Sequence, residues 1–298
     1  DYTDGAVFVA QVSGSDIGVG RHTFRFEATD GTDTARFPET GELLTLIVRG
    51  SVSLSLSVPE GATLGQKATI TGSFEPAVEG LSVKVTVRKP ALPGEEEAPQ
   101  PLEFDLASGS DGKFSLEVFL DRTGDWQVSA SFAGTDEWSP AEAEATFHVG
   151  PLEKTFEAGL HLMSVPFEPA DGRPEAVLGQ DGWRVARWLP EQGRYGMDGE
   201  AGEFSLGLGF WLKAERPITL RAEGSVPSPN EVQVIHLVPG WNMIGCPYTE
   251  PTAWSRAQVR VGTEVLPLAG AARKGWISSY AWAYEPGIGY VLVHGRAA

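Results

Sequence analysis

Gly159-Leu160-His161-Leu162-Met163-Ser164-Val165-Pro166-Phe167 returns later in the chain as Gly240-Trp241-Asn242-Met243-Ile244-Gly245-Cys246-Pro247-Tyr248. A glycine, an apolar strand-like run and a closing proline–aromatic pair recur in the same order. Repetition on this scale marks stacked supersecondary units rather than one catalytic cup, so it bears on architecture before any single residue does. Pro166 and Pro247 cannot donate to a ladder, and each run therefore stops there.

Each copy continues in a similar order. In the first, a short helix is expected at Pro174-Glu175-Ala176-Val177-Leu178, with proline in its first turn. Trp183 to Trp188 then reads as a strand, Leu189 to Gly193 as a turn, and Arg194-Tyr195 as the return. Gly209-Phe210-Trp211-Leu212-Lys213-Ala214 and Ile218 to Ala222 complete it. In the second copy a helix is expected near Leu268 to Lys274. Tyr280 to Tyr284, the turn Glu285-Pro286-Gly287-Ile288-Gly289, and Tyr290 to Val293 form a hairpin that matches Val185 to Tyr195 in kind. No counterpart of Gly209-Phe210-Trp211 follows. The copies span about 155–224 and 232–298, and the second is expected to be incomplete.

Ahead of the copies the hydrophobic period is two. Ser51 to Val58 alternates almost without exception, and Ala68 to Phe74, Leu81 to Val87, Lys113 to Val118, Gly124 to Phe132 and Ala143 to Val149 follow it. Such alternation is the pattern of half-buried strands. It places Trp126, Val128 and Ala130 on one face, with Trp126 expected in a core. Pro90 to Pro101, carrying Glu95-Glu96-Glu97, reads as a mobile hairpin tip. Residues 1–50 hold three runs: Val7 to Val12, His22 to Ala28 with Phe24, Phe26 and Ala28 on one face, and Leu44 to Val48. Asp30-Gly31 forms a turn between the last two. Three or four strands are too few for a sandwich of about seven strands. Both edges of such a half-sheet would be open.

The pattern Asp111-Gly112-Lys113-Phe114-Ser115 followed by Thr123-Gly124-Asp125-Trp126-Gln127-Val128-Ser129-Ala130-Ser131-Phe132 resembles bacterial immunoglobulin-like repeats of surface proteins. Gly20 to Gly31 resembles the closing strands of such a module. The copies at 155–298 resemble the Gly-Trp-Asn-Leu-Ile-Gly-x-Pro-Phe … Gly-x-Gly-Tyr-Trp β-repeats of large secreted bacterial proteins. Leu160 and His161 depart from that pattern where it has Trp-Asn. The resemblance implies an all-β chain in three parts: a partial sandwich at 1–50, a complete sandwich at 51–149 and a duplicated aromatic-rich repeat domain at 150–298.

The 298 residues carry a net charge of −17, which opposes phosphate-tracking and hence nucleic-acid binding. With 41% hydrophobic residues, packed cores are within reach. No apolar run approaches the ~18–20 residues that span a bilayer. The single cysteine, Cys246, excludes an intrachain disulfide and is expected to be a small buried hydrophobe. Asp1 is no natural start, so a longer precursor with a signal peptide and an extracellular or surface location are expected.

No catalytic constellation is legible. His22, His148, His161, His236 and His294 stand singly, without the spacings of a metal centre or a triad. No catalytic, cofactor-binding or metal-ligating residue is therefore assigned. Ca²⁺ is the one metal that turn oxygens at Asp30-Gly31-Thr32-Asp33 or at Asp111, Ser108 and Ser110 would suit, although Asp-Gly turn chemistry accounts for both. The aromatics of the repeats supply the candidate ligand or interface residues: Trp188, Trp211, Trp241, Trp282 and Tyr284. The expected function is structural, as a spacer, stalk or assembly subunit. The alternative is a carbohydrate-binding or adhesion module. Expected partners are other protein modules or copies of the chain, head to tail through strand addition, or surface glycans.

Overall fold

Alternation in the segment after Gly50 builds two facing sheets. The computed structural model, which describes residues 11–29 and 31–294, pairs Lys67–Glu75 with Lys113–Phe119 on one side and Ser53–Ser57 on the other. The opposing sheet runs in the order Ala62–Thr63, Ala141–Gly150, Gly124–Phe132, Ser82–Arg88 and Leu102–Ala107. Ala62–Thr63 is parallel to Ala141–Gly150 and the other pairs are antiparallel. This is the two-sheet sandwich expected of an immunoglobulin-like module. Val83, Val85, Val87, Trp126, Val128 and Ala130 face Ile70, Phe74 and Phe114 across a buried core. Trp126 is fully buried and stacks on Phe147 at 6.0 Å, and Phe74 meets Phe132 edge to face at 5.4 Å.

Two details explain local sequence. Gly72 lies opposite Phe114, and a Cβ on Gly72 would fall 2.0 Å from that ring, so the glycine is the seat of the aromatic. Ser108 is buried because its hydroxyl closes a loop: it accepts from the Leu81 amide at 3.0 Å and donates to the Val78 carbonyl at 2.6 Å. The acidic loop is pinned rather than free-standing. Glu95 accepts from the Leu92 amide at 2.9 Å and from the Arg122 guanidinium at 2.6 Å.

Ahead of the sandwich, Gly20–Phe24 pairs with Leu44–Val48, and Phe26–Thr29 pairs with Thr34–Phe37 nested inside it. The single strand expected from His22 to Ala28 is broken at Arg25. Phe24 and Phe26 stand perpendicular at 5.6 Å and both are exposed. Of the expected run Val7 to Val12, residues 7–10 lie outside the described residues, as does the turn residue Asp30, and Gln11 and Val12 are not in a strand. The root of this ribbon is stapled to the sandwich through Gly50, whose amide donates to the Glu137 carbonyl at 2.8 Å.

The first repeat copy folds as its periodicity suggests. Gly159–Ser164, Gly209–Ala214, Trp183–Leu189 and Arg194–Met197 make one antiparallel sheet in that spatial order, and Leu152–Phe156 pairs with Ile218–Ala222. The helix Pro174–Leu178 packs against Ile218–Ala222 and buries Val177 and Leu178. Val165, Phe167, Phe204, Phe210 and Leu212 form the core, with Phe204 and Phe210 in contact at 4.4 Å.

The second copy departs from the first. Its helix forms at Leu268–Arg273 and its aromatic hairpin at Tyr280–Glu285 and Gly289–His294. A further hairpin, Gln258–Val261 with Glu264–Pro267, went unread in the sequence despite its alternation and its Gly262-Thr263 turn. Gly240 to Cys246 is not a strand of its own copy, and only a bridge between Ile244 and Leu208 forms. Cys246 is correspondingly exposed, not buried, because the segment lies on the rim of the first copy instead of inside a sheet.

One local device recurs at four places in the chain. A glycine with positive φ is followed two residues later by a side-chain nitrogen bonded to the carbonyl four residues back. Gly20 precedes His22, which bonds to the Gly18 carbonyl at 3.0 Å, and Gly124 precedes Trp126, bonded to Arg122 at 3.1 Å. Gly159 precedes His161, bonded to Glu157 at 2.7 Å, and Gly240 precedes Asn242, bonded to Val238 at 2.8 Å. His161 therefore does the work of asparagine, and the departure from the repeat pattern preserves the hydrogen bond.

Candidate functional site

The aromatic residues meet along a seam between the copies. Alternation puts Tyr280, Trp282 and Tyr284 on one face of their strand, and the register adds Leu292 opposite Trp282 and Tyr290 opposite Tyr284. In the first copy Trp188 stands opposite Tyr195 in the same way. The two cross-strand pairs have like geometry: Trp188–Tyr195 at 5.2 Å and 71°, Tyr284–Tyr290 at 5.9 Å and 79°.

Trp211, opposite Leu162 and Ala186, receives the second hairpin. Its ring lies 4.8 Å from Tyr284 and 6.0 Å from Tyr290, both edge to face. Desolvation first, then the charge of Tyr195 and a hydrogen bond to it, raise the Tyr290 phenol above its ordinary pKa. Main-chain bonds close the seam from the other side: the Gly209 amide donates to the Met243 carbonyl at 2.9 Å and the Gly245 amide to Gly207 at 3.0 Å. A Cβ on Gly245 would fall 1.8 Å from the Ser164 hydroxyl, so this approach requires glycine.

Of the five aromatics singled out in the sequence, Trp188, Trp211 and Tyr284 are half-buried in or beside the seam. Trp241 and Trp282 remain 50% and 48% exposed. They continue the seam outward through Tyr280, at 6.0 Å from Trp241 and 6.3 Å from Trp282. Neighbouring rings along this row are inclined at 54° and 81°, so they interlock rather than form one flat surface. Tyr195, Tyr290 and Met243 also belong to the seam. Only the hairpin register, which needs the turn closed, identifies the first two as partners.

Among the described residues no group of three or more His, Cys, Asp or Glu side chains converges on one point. Asp111 is engaged by its own turn, accepting from the Lys113 amide at 3.1 Å, and Ser108 is committed as above. No described helix is long and apolar enough to cross a membrane.

No family model matches the chain, and no curated protein matches it. Among solved structures it is similar to a tetra-tandem repeat in the extending region of a large adhesion protein. The likeness has a TM-score of 0.34 and 13% identity, and covers 68% of this chain and 48% of that one. The chain thus spans about half the length of that structure.

Proposed function

We propose that this all-β chain is a non-enzymatic structural module of a secreted or cell-surface bacterial protein, a spacer that sets the direction between the parts it joins. The spacer role rests on the junction of the sandwich with the first repeat copy. There the Thr123 amide donates to the Gly224 carbonyl at 3.0 Å, the Val226 amide donates to Asp121 at 2.9 Å, and Arg122 bridges antiparallel to Ser225. The same Gly224–Ser225 segment pairs with Glu168–Pro169 of the repeat. Two modules that share a ladder resist bending more than two joined by a free linker.

Spin labels at Thr69→Cys and Lys213→Cys, in a Cys246→Ser background, test this. A narrow distance distribution is expected. A broad distribution, as a swinging joint gives, would remove the spacer role.

A second role, glycan binding, is favoured by the exposure of Trp241 and Trp282. The mutual inclination of their row allows one sugar ring per aromatic rather than a chain lying flat. A glycan array with the Trp282→Ala variant separates the two roles, since a spacer alone gives no signal on any glycan.

A further inference from the structure

Residues 89–101 join the strand Ser82–Arg88 to the strand Leu102–Ala107. A proline-rich connection of this length, with three adjacent glutamates, is expected to move freely at the surface. Here it folds back onto Asp121 and Arg122. The Lys89 ammonium donates to the Asp121 carboxylate and lies 5.8 Å from the centre of the Trp126 ring. Further along the loop, the Glu95 carboxylate accepts from the Arg122 guanidinium at 2.6 Å. Pro90 lies against Gly124, where a Cβ would fall 3.2 Å from the proline ring.

Shielding sets these two ion pairs apart. Side-chain exposure is 14% and 22% for Lys89 and Asp121, and 17% and 34% for Arg122 and Glu95. Twelve other Lys or Arg ion pairs keep both side chains at least 41% exposed. Charges shielded from water attract each other more strongly and are screened less by salt. The opposite signs at Asp121 and Arg122 also fix the register of the loop, because Lys89 would repel Arg122 and Glu95 would repel Asp121.

The residues held in this way are those that carry the next module. Their side chains are taken by the loop and their main chain by the repeat. The Asp121 carbonyl accepts from the Val226 amide at 2.9 Å, and Arg122 forms the bridge to Ser225. Beside them the Thr123 hydroxyl accepts from the Gly224 amide at 3.1 Å.

We propose that residues 89–101 form a strap that fixes the angle between the sandwich and the first repeat copy, with Glu95–Arg122 as its latch. The strap holds residues 121–123 in the conformation whose main chain matches residues 224–226. Shielded ion pairs add little net stability, because desolvation offsets their attraction, so the effect of this latch falls on geometry. With the latch open, the joint keeps its main-chain bonds and swings about them. This inference rests on the spacer reading and names what sets the direction of the spacer.

The test uses the whole chain, spin-labelled at Thr69→Cys and Lys213→Cys in the Cys246→Ser background. To it are added Glu95→Ala, Arg122→Ala, both together, or Glu96→Ala. Glu96 is exposed in the same loop and makes no ion pair among the described residues. Each latch variant should lose the narrow distance distribution, and the two together should look like either alone, since both remove one contact. Glu96→Ala should stay as narrow as the unaltered chain. Thermal denaturation should remain cooperative with its midpoint little changed, which separates a freed joint from an unfolded sandwich. If Arg122→Ala unfolds, Glu95→Ala decides, because it alters only the loop. A distribution still narrow in Glu95→Ala would overturn the strap and leave the spacer reading standing. Equal broadening by Glu96→Ala would overturn the latch as its cause. A broad distribution already in the unaltered chain would remove the spacer reading, and the strap with it.

Discussion

Trp211 of the first repeat copy and Tyr284 of the second meet edge to face at 4.8 Å with their rings 78° apart, although distant in sequence. The second hairpin rests on the first copy's sheet through this contact. Edge-to-face pairs contribute about 0.5–1.5 kcal/mol beyond area burial. A double-mutant cycle over Trp211→Ala and Tyr284→Ala, followed by urea unfolding, should therefore show a coupling of about 1 kcal/mol. Strict additivity would mean that the copies do not lean on each other here.

The sandwich depends on Trp126, which is fully buried and hydrogen-bonded through its indole to the Arg122 carbonyl at 3.1 Å. Trp126→Ala should cost about 3–5 kcal/mol, the range for large aromatics truncated in a core. Trp126→Phe keeps most of the volume and loses chiefly the hydrogen bond, so it should cost clearly less. Equal losses in thermal denaturation would contradict this division.

His161 and Asn242 hold equivalent positions after a positive-φ glycine by bonding to the carbonyl four residues back. His161→Asn should accordingly leave stability within about 0.5 kcal/mol, whereas His161→Ala should lose about 1 kcal/mol, the usual net worth of one such bond. If both variants lose the same amount, the hydrogen bond is not what the position selects.

Hydrogen bonding to Arg173, through its guanidinium and then its amide, holds the Asp171 carboxyl at about 2, below the ordinary 3.8. A depressed folded value stabilises the folded state above the unfolded pKa, and that contribution fades as pH falls through about 2. The carboxyl is solvent-accessible at the surface, so the effect is best read as a titration. Carbon-detected NMR should place the midpoint near 2 and move it back toward 3.8 in Arg173→Ala. An unmoved midpoint would assign the shift to another cause.

Cys246 is exposed, with its thiol directed at the Glu250 carbonyl at 3.7 Å. It should react with a thiol reagent in the native protein at a rate close to that of the unfolded chain. Protection until denaturation would restore the buried thiol expected from the sequence.

Much of the local structure was legible in advance. Ser53–Ser57, Lys67–Glu75 and Gly124–Phe132 announce themselves by alternation, the helix Pro174–Leu178 by its proline, and the aromatic hairpin by Pro286-Gly287. Three features were hidden for one reason. The strand expected at His22–Ala28 breaks at Arg25, Gly240 to Cys246 lies on Gly207–Gly209, and the seam joins Trp211 to Tyr290. Each depends on what lies opposite a segment, and hydrophobic period reports only that one face will be covered.

Alternation and turn chemistry by themselves determined that this chain is made of strands, where most of them stop, and that a unit is used twice, because those properties are local to a few residues. Tertiary structure alone decided which strand each edge takes, and so which aromatics are sealed between the copies and which stay in solvent. Pairing is a competition among distant segments for the same backbone groups, and its outcome is settled by close approach at Gly209 and Gly245 and by the area buried on Trp211.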